Sequence, residues 1–116
     1  MAGHFRLRPR YPIDLRVTVR RELEQSPREV DGRSANIGFG GVFVTLDPPF
    51  APHTRIVLSV ITATAWEPLK LVGEVRWVRD ARPGVPAGMG ISFDALSAEH
   101  AIALHRLFCA EGYELD

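Results

Sequence analysis

Cysteine is almost absent: Cys109 stands alone in 116 residues, so no internal disulfide can form and a reducing compartment fits. Its setting in LHRLFCAEG predicts a buried or capping thiol at the end of an amphipathic helix, not a nucleophile. Lysine is nearly as scarce. All but Lys70 of the 14 cationic residues are arginine, which suits bidentate recognition of phosphate or carboxylate and equally fits a coding bias. A net charge is missing, because 14 cationic and 14 acidic residues cancel, and this argues against a barrel that holds single-stranded nucleic acid. Long apolar runs are missing as well. The longest, IVLSVITATAW from Ile56 to Trp66, has polar breaks and is too short to cross a bilayer. MAGHFRLRPR at the start holds no apolar core of signal-peptide length. The chain therefore reads as cytoplasmic, without membrane insertion.

What is present suits one folding unit. A chain of 116 residues with 46% apolar and 24% charged residues buries about two thirds of its unfolded surface and leaves no room for a second domain. The charges are unevenly placed. Six arginines and one Asp fall in the first 21 residues, whereas Glu111, Glu114 and Asp116 fall in the last eight. The expected organisation is a basic arm over residues 1–10, a folded body over 11–110 and an acidic tail over 111–116.

Period-2 alternation in IDLRVTVR sets Ile13, Leu15, Val17 and Val19 against Asp14, Arg16, Thr18 and Arg20, which predicts a half-buried strand. After a polar stretch with Ser26, Pro27, Asp31 and Gly32, a glycine cluster leads into Val42, Val44 and Leu46, closed by DPPF. RIVLSVITA, LKLVGEVRWVR and MGISFDAL are further strands, the last two separated by the turn-forming ARPGVPAG. Five or more short strands suggest a barrel or sandwich. Ser97 can cap a helix running to about Phe108, with Glu99 in its first turn, with Ala101, Leu104 and Phe108 on one side and with Gly112 just beyond. That helix is expected to plug the barrel.

Side-chain catalysis has little support. His105 is the only base near Cys109 in sequence; His100 and His105 are five apart, the wrong spacing for a shared helical metal face, and His4 and His53 fall in loop segments. Nothing in the sequence pairs Glu74 with Asp94 as acid and base. Enzyme is the least favoured class, and no metal or cofactor is expected.

The informative stretch is SANIGFGGVFVTL, where Asn36, Gly38, Gly40 and Gly41 crowd against an apolar strand. Glycines that close need either positive φ or something packed hard against their backbone. Upstream, RLRPR supplies Arg6 and Arg10 at a spacing of four, and Asn36 follows Arg10 by 26 residues. Taken singly, a basic tail is usually solvated and GFGG is usually a turn.

Together, in this order, they resemble the PilZ domain family, whose signature is Arg-x-x-x-Arg followed by Asp/Asn-x-Ser-x-x-Gly. Arg6 and Arg10 match the first half, and Asn36 and Gly41 the ends of the second. Gly38 stands where the family has Ser. The likeness continues through RYPIDLRVTV, LVGEVRWV and GMGISFDALSAEHAIALHRLF. It implies a mainly β fold: a six-stranded antiparallel β-barrel with a C-terminal α-helix that binds the bacterial second messenger cyclic di-GMP. The implied ligand-binding residues are Arg6, Arg10, Asn36, Gly38, Gly40 and Gly41. With no output domain expected in the chain, the signal would pass to a partner protein; a homodimer is left open. The alternative is a PilZ adaptor that has lost the nucleotide, motivated by Gly38 and by the apolar residues around Phe39 and Phe43. Losing one hydroxyl bond costs about 0.5 to 1.5 kcal/mol, so Gly38→Ser is expected to strengthen binding unless Gly38 has positive φ.

Overall fold

A computed structural model describes residues 9–23 and 28–115. The elements run β1 (Tyr11–Pro12), β2 (Arg16–Arg21), β3 (Val30–Ile37), β4 (Gly41–Thr45), β5 (Arg55–Val60), β6 (Leu69–Arg79), β7 (Gly88–Phe93) and α1 (Ala98–Ala110). Every pairing is antiparallel, in the order β3-β2-β5-β6-β7-β4, and β4 returns to β3. The result is a closed six-stranded barrel, with β1 added outside it on β3. Closure removes the free sheet edges that a small β protein must otherwise protect.

Alternation does what the sequence led one to expect. Val17 and Val19 turn inward from β2, and Ile56, Leu58, Val60, Leu71, Val75, Met89 and Ile91 fill the interior from three other strands. Leu104, Leu107 and Phe108 of α1 join the same buried cluster, so the helix covers the barrel and completes its core. Ser97 caps it, its Oγ accepting from the His100 N–H at 3.1 Å.

Three expectations need correction. The polar stretch before the glycines is the eight-residue strand β3, VDGRSANI. It escapes periodicity because only Ser34 and Ile37 in it are buried and Gly32 presses on Val44 and Thr45 of β4. The strand expected from Ile13 starts at Arg16, because Ile13 to Leu15 are sutured to β3 by Ser34: its buried hydroxyl accepts from the Leu15 N–H at 2.9 Å and donates to the Ile13 carbonyl at 2.6 Å. Cys109 is exposed, not buried, with its Sγ 3.7 Å from His105 Nδ1 one turn back on α1.

Beyond the helix the chain returns to the body. Tyr113 donates to the Pro12 carbonyl at 2.6 Å and packs on Tyr11, and Leu115 leans on the core. Tyr11 and Phe39 both rest on Phe108, so β1, the glycine turn and the helix share one aromatic cluster.

Candidate functional site: an arginine and aromatic cleft on the barrel wall

The glycine cluster is the tip of the β3–β4 hairpin. Gly38 N–H donates to the Gly41 carbonyl at 2.8 Å, and the Gly40 carbonyl accepts from Phe93 N–H at 2.9 Å. None of the three glycines has positive φ, which among the described residues is confined to His53, Gly84 and Gly112. The requirement is close approach. A Cβ on Gly38 would lie 2.5 Å from the Pro9 carbonyl oxygen and 3.1 Å from Arg10 Cδ. One on Gly41 would overlap the Ile91 carbonyl and sit 3.0 Å from Arg10 Nη2. Glycine here makes a shelf along which Pro9 and the Arg10 side chain lie.

At the end of that shelf Arg10 Nη1 donates to Asn36 Oδ1 at 2.8 Å. The structure thus brings Arg10 to Asn36, Gly38 and Gly41, which follow it by 26 residues or more in the chain. Gly40 faces β7 through its carbonyl instead. Arg6 lies outside the described residues.

Asn36 begins a row across four strands that sequence reasoning missed. It pairs with Phe43 on β4, Phe43 with Gly90 on β7, and Gly90 with Trp77 on β6. Two bulges create the row: Ala35 is the extra residue in β3 and Arg76 in β6, and each flips its strand's alternation so that Asn36 and Trp77 share a face with Phe43. The Phe43 and Trp77 rings stack with centroids 5.1 Å apart and planes 23° from parallel. The Arg79 guanidinium lies 4.6 Å from the centroid of Phe43, while its Nε donates to the Pro86 carbonyl at 3.0 Å. Gly88 and Gly90 floor the row: a Cβ on the first would strike the Phe43 ring, and one on the second the Trp77 indole.

Arg10, Ala35, Asn36, Phe43, Trp77 and Arg79 line a cleft of about 370 Å³. No carboxylate among the described residues pairs with Arg79. Two guanidinium groups, an amide and a half-exposed indole therefore face one space. Such a set can stack on a flat base, donate pairwise to an anionic oxygen and meet the edge of a heterocycle. The sequence signal for it was the GMG of β7 beside RWVR of β6, but bulges are invisible to alternation.

Carboxylates elsewhere have separate partners. Glu74 faces His53 Nδ1 at 3.2 Å, and Asp94 accepts two bonds from Arg55, which also bonds Glu22. The Arg55 hydrogen bonds, aided by its charge, hold the Asp94 carboxyl below its ordinary range, and burial opposes them only in part. Among the described residues no group of three or more His, Cys, Asp or Glu gathers as a metal site, and no helix is long and apolar enough to cross a membrane.

Fold and cleft define a small closed β-barrel whose wall carries an arginine- and aromatic-lined cleft, with Pro9 and Arg10 packed on the glycines at its end. The chain belongs to the PilZ domain family, whose model matches residues 4–109. Among solved structures it is similar to the Bacillus subtilis inhibitor of motility, MotI/DgrA, at 18% identity and a TM-score of 0.69, over 90% of this chain and 49% of that one. This chain thus spans about half the length of MotI/DgrA. It is also similar to the PilZ domain of CeSA from a cellulose-synthesizing bacterium, at 17% identity and a TM-score of 0.63, over 89% of this chain and 98% of that one. No curated protein matches the sequence.

Proposed function

We propose that this PilZ domain is a receptor for cyclic di-GMP that hands its signal to a partner protein. The observation that carries the reading is the Arg10–Asn36 bond laid over the Gly38 and Gly41 shelf, beside the Phe43–Trp77–Arg79 row. Cyclic di-GMP combines two phosphodiester charges with two guanines. Arg10 and Arg79 supply bidentate donors for phosphate or the guanine O6 and N7 edge, Trp77 supplies a stacking face and Asn36 an amide. Base-on-aromatic stacking contributes about 1 to 3 kcal/mol per base. Arg6 joins the arm on the strength of the family motif.

The second reading, an adaptor that works without nucleotide, is favoured by one feature: the Pro9 carbonyl takes the space over Gly38 where the family's serine side chain would start. Isothermal titration with cyclic di-GMP, with GTP as the control, separates the two. Saturable binding near the micromolar range, about −8 kcal/mol, supports the receptor. No heat and no thermal shift at high nucleotide supports the adaptor.

A further inference from the structure

We infer that the tip of the β5–β6 hairpin and the exposed side of α1 form a weak self-association surface for a second copy of this chain. Trp66, at 104% relative exposure, is covered by none of the described residues, and Ile61 and Ile102 are exposed at 39% and 52%. Large apolar side chains scattered singly are ordinary on a surface. Here each is next in the chain to a residue that lines one groove. Ala65, Pro68, Leu69 and Ala103 form its apolar lining, a space of about 160 Å³, and Glu67 and Arg106 add one charge of each sign. No ion pair joins Glu67 to Arg106 within the described chain.

That last point selects the occupant. A ligand of one charge sign would attract one of these two exposed groups and repel the other. A second copy related by a two-fold axis satisfies both, because residue i of each copy meets residue j of the other: Glu67 faces Arg106 of the second copy, twice. The same axis carries each Trp66 into the groove beside the other copy's hairpin, since knob and groove are neighbours on one surface. Burying two indoles removes about 300 to 500 Å² from water, and even with the isoleucines this stays below the area of a stable interface. The dimer therefore forms only at high protein concentration. None of these residues lines the arm cleft, so the association needs no nucleotide.

Sedimentation velocity of the nucleotide-free chain from about 5 to 500 μM tests it, because self-association follows mass action. The sedimentation coefficient is expected to climb toward the dimer value. Trp66→Ala is expected to hold it at the monomer value with the Tm unchanged, because Trp66 supports nothing in its own fold. Glu67→Arg is expected to weaken association, and Glu67→Arg with Arg106→Glu to restore it. A wild-type monomer at the highest concentration would overturn the inference, as would a dimer that survives Trp66→Ala or a double reversal that fails to restore. Flotation with anionic vesicles that depends on Trp66 would also overturn it, reassigning the surface to lipid.

Discussion

Gly38→Ser separates two ways of thinking about the site. Motif reasoning says that it restores a family hydroxyl and tightens binding by up to about tenfold, the equivalent of one hydrogen bond. The geometry reverses the sign. The new Cβ would stand 2.5 Å from the Pro9 carbonyl oxygen, whereas carbon and oxygen settle at about 3.3 Å or more. The arm must retreat by roughly 1 Å, and Arg10 Cδ, 3.1 Å from the same Cβ, must go with it. The Arg10–Asn36 bond is exposed, so its loss costs only about 0.5 kcal/mol, the low end of the ordinary range. For a domain this size that lowers the Tm by about 2 to 4 °C. Binding suffers more, because an arginine displaced from its shelf must be repositioned by the ligand; cyclic di-GMP affinity is expected to fall about three- to tenfold, equivalent to 0.7 to 1.4 kcal/mol. Calorimetry of the free variant and isothermal titration read both numbers. Tighter binding at an unchanged Tm would mean that the Pro9 carbonyl does not occupy that space.

Other substitutions probe separate parts of the account. Ser34→Ala leaves the Leu15 N–H and Ile13 carbonyl without their buried partner and is expected to cost about 1 to 3 kcal/mol, read as a lowered denaturant midpoint; an unchanged midpoint would show the suture to be dispensable. Gly90→Ala pushes the Trp77 indole off Phe43, costing about 0.5 to 1.5 kcal/mol of stacking. In a Trp66→Phe background the emission of Trp77 is expected to shift to the red and nucleotide affinity to fall, and an unmoved spectrum would contradict the stacked geometry. Asp94, with its pKa lowered by Arg55, contributes stability that is present above its unfolded value of about 3.9 and is lost as pH falls through the folded one. Thermal melts from about pH 5 to 2 are expected to show a shallower acid loss in Asp94→Asn than in the wild type, and parallel curves would remove the pair from the account.

Legibility in the sequence followed the physics of each element. Strands with one buried face, such as β2 and β6, announce themselves by period 2, and α1 by its Ser97 cap and its buried Leu104 and Phe108. β3 does not, because closure asks it to present Gly32 and Ser34 to its neighbours instead of an apolar row. The family motif brought Arg10, Asn36 and the glycines into view as a set, but the reason for the glycines, the room they leave for Pro9, Arg10 and the Ile91 carbonyl, belongs to tertiary packing. Phe43 was legible as an apolar residue off the core face, but its neighbours Trp77 and Arg79 stayed hidden because the bulge at Arg76 resets the alternation that sequence reasoning depends on.

Side-by-side titration of the wild-type chain and Arg10→Ala with cyclic di-GMP at physiological salt asks whether the Arg10 shelf binds the nucleotide. Saturable binding near the micromolar range is expected in the wild type and its loss in Arg10→Ala, with the variant melting only about 2 to 4 °C lower because its exposed bond to Asn36 is gone. Equal binding by the two, or none by the wild type, would contradict a nucleotide site built on the Arg10 shelf.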